Sequence, residues 1–508
     1  MNAPDEGDVG PMPLQRRVVY IIIDGMSTEA FEQATSSGRA PALAFIKERG
    51  HYVRDSVAVF PTITPAATSS LVTGEVPARH GIPGMCWYDR QAARYVNYGQ
   101  SPRAALIQGV KQVVRDYMHN LNQEHLSKDV STIHESLDRL GLTTASINFM
   151  VFRGPHKQEL RPGLFKRMLF RKPLPDYVYG PKEHYFADVL EGSADGVCRS
   201  MLSKRGLEER MKATDAWAAC VTRDLLERRA ADMILFYLHE NDHMSHRNGP
   251  ASQTENIIAE DEHVAYVLDA FDSWEQACDE VGFVITADHA QSPVSDEEEH
   301  ILEPAEMLDD FKLLRPKRGK ERMDGRDLAA AGNGRVGFFY LNQDRAKKLH
   351  RPVTDTLLSC DGIDQVMWRE RDGYVVASDR GRVWFNQANY EGLVDERGNK
   401  WRYEGDLAAI DGIVEENQIR TPEYPLAMWR IKSALDLDRI GDVVATTSLT
   451  YELRDLGGAD HKGGGDHASL HVQDSMVPFV STLDEPPFHP STVDVAPHIV
   501  KHFERVRT

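Results

Sequence analysis

Three apolar runs in this sequence end in side chains that can hold a cation. Val18 to Ile23 runs into Asp24-Gly25, Asp232 to Leu238 into Glu240-Asn241-Asp242 with His246 beyond, and Val281 to Thr286 into Asp288-His289. An acidic residue after one strand is ordinarily a helix or turn cap. Three such exits in one chain form a pattern, and mixed carboxylates and imidazoles suit zinc or manganese better than calcium. A hydroxyl stands ready beside them: Thr64-Pro65 opens an apolar stretch that Gly74 can close, the signature of a helix with Thr64 as N-cap and Pro65 as first residue. Alone, that is a capped helix. Beside a bound dication it is a nucleophile at a helix N-terminus, where free N–H groups hold phosphate. A last imidazole comes from Gly463-Gly464-Gly465-Asp466-His467, where glycine lets backbone approach an ion, with His461 as a competing candidate.

The runs that carry these residues read as strands. Val18 to Ile23 is continuous and β-branched, as in a parallel sheet buried on both faces. Helical patterns alternate with the strands, at 133–140 (ending at Gly141), 213–229 and 253–277, and Thr143 to Phe149 is a further strand. The expectation is an α/β fold, a mainly parallel sheet with helices on both faces, whose ligands sit at the carboxyl ends of the strands. Between 311 and 430 short strands such as Phe338 to Leu341, Tyr374 to Ala377 and Val383 to Phe385 alternate with charged turns, the pattern of a smaller α+β insertion. The expected organisation is a flexible tail over 1–14, a core over 15–310 with a lid around 90–185, the insertion over 311–430, and core completion over 431–508.

Composition narrows the function. The 508 residues carry 59 Lys+Arg against 78 Asp+Glu, a net charge of -19, which argues against binding nucleic-acid polymers through their phosphates. The exception is Arg153 to Lys172, with seven basic residues and one acidic one, either a solvated loop or a lid that draws in anions. The five cysteines are odd in number, widely spaced and without a CxxC, the usage of a reducing compartment and not of a disulfide framework. The acidic N-terminus is no secretory signal, and no apolar stretch is long enough to cross a bilayer. The expectation is a soluble, cytoplasmic protein.

In chain order, Asp24-Gly25, the Thr-x-Thr stretch through Val72-Thr73-Gly74 to His80-Gly81-Ile82, Asp242 with His246, Asp288-His289, and His467 ahead of a Val-Pro pair resemble the alkaline phosphatase superfamily, in its type I phosphodiesterase/nucleotide pyrophosphatase branch. The resemblance implies an alkaline-phosphatase-like core and two divalent ions, generally zinc with manganese as the alternative. It implies Thr64 as nucleophile, one ion on Asp24, Thr64, Asp288 and His289, and the other on Asp242, His246 and His467. The reaction it implies is cleavage of a phosphodiester or pyrophosphate in a small phosphorylated substrate through a phosphothreonine. Two departures bear on substrate: Pro65-Ala66-Ala67 replaces the family's Phe-Pro-Asn, and Met85 stands where a phosphate-contacting Asn is found. A phosphomonoesterase or phosphonate hydrolase on the same scaffold, or a metal-stabilised binding protein without catalysis, are the alternatives.

Overall fold

The computed structural model describes residues 16–160, 176–186, 190–191, 196–203, 214–319, 321–454, 457–458, 460–487 and 490–506. The expected tail over 1–14 and residues 161–172 of the basic segment lie outside the described residues.

The core is an eight-stranded sheet. Its principal strands are β1 (Arg17–Ile23), β2 (His51–Val57), β3 (Thr144–Ile147), β4 (Glu183–Phe186), β5 (Met233–Leu238), β6 (Val281–Thr286) and β7 (Met476–Ser481). They lie in the order β2-β7-β6-β1-β5-β3-β4, with Leu190–Glu191 at the edge. The strands from β6 to β4 run parallel, but β7 is antiparallel to β6 and β2 antiparallel to β7. The sheet is therefore mixed, which corrects the mainly parallel expectation. Apolar runs report burial and not direction, and an antiparallel strand on a parallel sheet reads the same way in sequence.

Alternation along β1 explains the layers. Val18, Tyr20 and Ile22 join one buried cluster with Leu71, Leu137 and Ile499; Val19, Ile21 and Ile23 join another with Phe31, Leu225 and Val264. Helices thus cover both faces, Thr64–Thr73, Ile133–Arg139 and Val495–Val506 on one, Thr28–Ser36, Asp215–Glu227 and Gln253–Leu268 on the other. The pattern over 253–277 is two helices: the first stops at Leu268 and Ser273 caps a second, Trp274–Glu280.

An eleven-stranded sheet, largely antiparallel, is built from strands between Leu313 and Arg420 together with Val443–Thr447. Its turn at Asn333-Gly334, between Leu328–Asn333 and Val336–Leu341, reaches the site described below.

The cysteines depart from the sequence reading. Cys198 and Cys220 form a disulfide, while Cys86, Cys278 and Cys360 are not disulfide-bonded. Sequence spacing hid the pair because it joins two packed helices, Gly196–Ser203 and Asp215–Glu227. Among the described residues no helix is long and apolar enough to cross a membrane.

Candidate metal centre

Register decides what meets at the sheet edge. Ile23 of β1 pairs with Leu238 of β5, and Ile22 with Thr286 of β6, so the three central strands end level. Asp24, Asp242 and Asp288-His289 are the residues that follow. Gly25 makes the first exit possible: its φ is +67°, and a Cβ there would lie 3.0 Å from Asp242 Oδ1. His467 arrives from across the chain on Gly465–Asp466, which pairs antiparallel with Ser292–Pro293 just after β6.

The structure brings all seven sequence-derived residues together. Asp24, Asp288 and His289 have ligand atoms within 4.8 Å of one another, as do Asp242, His289 and His467, and His246, Asp466 and His467. Thr64 Oγ1 lies 3.2 Å from His289 Nε2. Thr64 is the first residue of its helix and Ile63 the N-cap, so the hydroxyl is not spent on capping as the sequence suggested. The amides differ too. Pro65 has no N–H, and those of Ala66 and Ala67 go to the Ile63 carbonyl, which leaves Thr64's own N–H as the amide at that end.

The imidazoles are set up as ligands. Nδ1 of His246 lies 2.7 Å from the Gly465 carbonyl, Nδ1 of His467 2.6 Å from that of Thr62, and Nδ1 of His289 3.2 Å from that of Ala290. A carbonyl only accepts, so each Nδ1 carries the proton and each Nε2 presents a lone pair. Those Nε2 atoms face carboxylates: His289 is 3.4 Å from Asp288 and 3.6 Å from Asp24, and His246 is 3.4 Å from Asp242.

Charge is crowded here. Burial, with repulsion from Asp288 and Asp242, pushes Asp24 well above the usual carboxylate range, and burial raises Asp288 to about 6. Burial acts the same way on Asp242, but His246, His467 and His289 outweigh it and hold it at about 2. Burial lowers His467 to about 4 and also lowers His289, which keeps them neutral. Buried oxygens Asp24 Oδ1 and Asp288 Oδ2 have no hydrogen-bond partner. Buried carboxylate oxygens without donors, facing neutral imidazoles, fit divalent cations.

Further residues belong to this centre: Tyr237, Gln291 and Asp466, to which the sequence reading assigned no role, and His461, the competing candidate. The Tyr237 hydroxyl donates to Asp24 Oδ2, and the Gln291 amide to Asp242 Oδ1. Asp466 is buried beside His467, and His461 stacks on His246 with ring centroids 4.1 Å apart. Adjacency to His467 was a signal for Asp466; for Tyr237, inside a continuous apolar strand, there was none. The other histidines near the site in sequence are accounted for elsewhere: His239 bonds to Asp215, His300 stacks on Tyr451, and the His471 side chain accepts from Gln473 N–H.

Thr64 opens on a cavity of about 130 Å³, lined also by Ile63, Met85, Gln100 and Asn333 and, among the described residues, by no Lys, Arg or Phe, Tyr or Trp side chain. Trp87 and Tyr88 are core residues, and Tyr179 is exposed on a hairpin.

The sequence profile described as type I phosphodiesterase/nucleotide pyrophosphatase matches residues 18–469. Comparison with curated protein sequences finds no match. Among solved structures, murine ectonucleotide pyrophosphatase/phosphodiesterase 5 aligns over 96% of this chain and 95% of its own, with a TM-score of 0.54 at 12% identity. Phosphonoacetate hydrolase from Sinorhizobium meliloti 1021, solved with phosphonoformate, aligns over 97% of both chains with a TM-score of 0.58 at 18% identity. At these identities the likeness to both is one of fold.

Proposed function

The chain belongs to the type I phosphodiesterase/nucleotide pyrophosphatase family, a family of phosphoester hydrolases, and from that premise we propose that it cleaves phosphodiester or pyrophosphate bonds with two divalent ions and Thr64 as nucleophile. The supporting observation is the hydroxyl of Thr64, 3.2 Å from His289 Nε2 and uncommitted to its helix, beside buried carboxylates whose outer oxygens lack donors.

Asp24, Thr64, Asp288 and His289 would hold one ion and Asp242, His246 and His467 the other, with zinc the best match to this donor set and manganese next. Such ions, when bound, supply Lewis acidity to the hydroxyl and to the phosphoryl oxygens. The chain's own part is positional. Gly465, Thr62 and Ala290 carbonyls fix the three imidazoles, and Tyr237 and Gln291 fix one oxygen each of Asp24 and Asp242. Thr64 gives up its proton to solvent, its oxygen attacks phosphorus in line, and the bond to the leaving oxygen breaks, that oxygen taking a proton from water. Water then attacks the phosphothreonine from the vacated side and restores the hydroxyl. Thr62 is a poor substitute nucleophile, because its hydroxyl is buried and donates to the Ser469 carbonyl at 2.8 Å.

A second reading, hydrolysis of a phosphonate or phosphomonoester, draws on the cavity: about 130 Å³ with no aromatic side chain among its described lining residues suits a compact substrate better than a nucleotide base. The deciding experiment assays the zinc- or manganese-loaded protein on bis-p-nitrophenyl phosphate, p-nitrophenyl phosphate and phosphonoacetate, with Thr64→Ala alongside. The expected result is preference for the diester, loss of turnover on chelation, and loss by roughly three orders of magnitude or more in Thr64→Ala with the fold retained. Wild-type rates in Thr64→Ala would refute the nucleophile. Absence of any turnover that depends on added metal would favour a binding protein.

A further inference from the structure

Behind His246 the pocket wall carries a second group of potential ligands. Glu452 Oε2 lies 3.0 Å and Asp466 Oδ2 3.6 Å from Nδ1 of His461, and the three ligand atoms fall within 4.8 Å of one another. Both carboxylates are almost wholly enclosed, each with 1% of its surface exposed. Glu452 is also bonded by the His461 N–H at 3.2 Å, but Asp466 Oδ2 has no hydrogen-bond partner. The backbone makes room for it: Gly334 has φ +65°, and a Cβ there would lie 2.7 Å from both Asp466 carboxylate oxygens.

We propose that Glu452, His461 and Asp466 form a third divalent-cation site on the wall of the pocket that holds Thr64. Three observations support it. The donor set of one imidazole and two carboxylates is that of a zinc or manganese site. A buried carboxylate oxygen that makes no hydrogen bond, in a niche that only glycine leaves open and with only the His461 imidazole 3.6 Å away to offset it, is costly unless a further cation meets it. The third is electrostatic. The paired centre and the second group together gather five buried or half-buried carboxylates, Asp24, Asp242, Asp288, Glu452 and Asp466. Two dications leave this set one negative charge in excess, and a proton on His461 only brings it to neutrality. A third dication leaves it net positive, which favours entry of an anion into a pocket that has no lysine or arginine among its described lining residues. Through the stack on His246 the same ion would hold that ligand and the 463–467 loop in place. The site does not depend on the phosphoryl-transfer reading; only its use in attracting substrate does.

Metal counting tests it with zinc alone as the probe. The full-length protein, stripped with chelator, is brought to equilibrium dialysis against micromolar zinc, and bound metal is measured by mass spectrometry. The expected count is three ions per chain for wild type and two for His461→Gln and Glu452→Gln, with circular dichroism reporting the fold. Two ions or fewer in wild type overturns the third site whatever the variants do, and so does an undiminished count of three in a folded His461→Gln. Asp288→Asn keeps the two readings apart: it should lower the count while the loss caused by His461→Gln persists on top of it. If the wild type holds three and Asp288→Asn lowers nothing, the assignment of the paired centre fails while the third site stands on its own variants.

Discussion

At the scale of single residues, the centre depends on which atom of each ligand is already taken. Asp24 is the clearest case, because Tyr237 donates to Oδ2 and Oδ1 is left with no donor. The phenol thus selects the oxygen that faces His289, and it does so from inside β5, where it is buried and packed edge-on against Phe149 at 5.1 Å. Tyr237→Phe keeps that packing and removes only the donor. We expect metal affinity to fall by about 10–100-fold, the usual cost of losing a partner behind a ligand. Turnover should recover at saturating metal and the fold should persist. Chelator competition measures it; an unchanged affinity would show that the carboxylate is held by its backbone turn alone.

At the scale of elements, that turn is the other half of the argument. β1 can deliver Asp24 against Asp242 only because residue 25 adopts φ +67° without a side chain. Gly25→Ala forces both a left-handed alanine and a Cβ at 3.0 Å from Asp242 Oδ1. The expected cost is about 1–3 kcal/mol of stability, with metal retention after dialysis more severely affected than the melting temperature. Equal and small effects on both would mean the turn relaxes freely. This element-level logic also sets what could be read from sequence. The strand exits were legible because continuous β-branched runs followed by Asp or His are visible one at a time, and parallel neighbours end at one edge. The direction of β7, the split of 253–277 into two helices and the Cys198–Cys220 pair were not, since each depends on which element packs against which. Tyr237 and Glu452 were illegible for the same reason: one is hidden in an apolar strand, the other in a two-residue strand far from any ligand in the chain.

At the scale of the molecule, the ion-free protein should be unusually sensitive to acid, for reasons outside the metal centre. Burial lowers His80, His125, His134 and His184 each to about 3. Neither ring nitrogen of His184 has a hydrogen-bond partner, nor has Nε2 of His134, so the fold offers nothing to compensate a charge there. An unfolded histidine titrates near 6.5, so as pH falls the unfolded chain takes up protons first. The stability these four groups protect is whole above about 6.5 and drains as pH drops toward 3, at up to about 1.4 kcal/mol per pH unit for each. Asp288, raised to about 6, runs the other way in the ion-free state, and so do Asp24 and Glu260, which burial pushes further up: they favour the fold at low pH and lose that advantage as pH rises. The histidine share is therefore read as a difference between wild type and a variant that lacks one of the four imidazoles. Two units below neutrality the summed loss, several kcal/mol, is comparable with the whole stability of an ordinary domain. Urea titrations of chelator-treated protein should therefore show the wild-type midpoint falling relative to that of His134→Gln from pH 7 to pH 5. A difference between the two that holds level across the interval would mean that His134 is already paired or solvated, and its buried neutral imidazole would have to be abandoned.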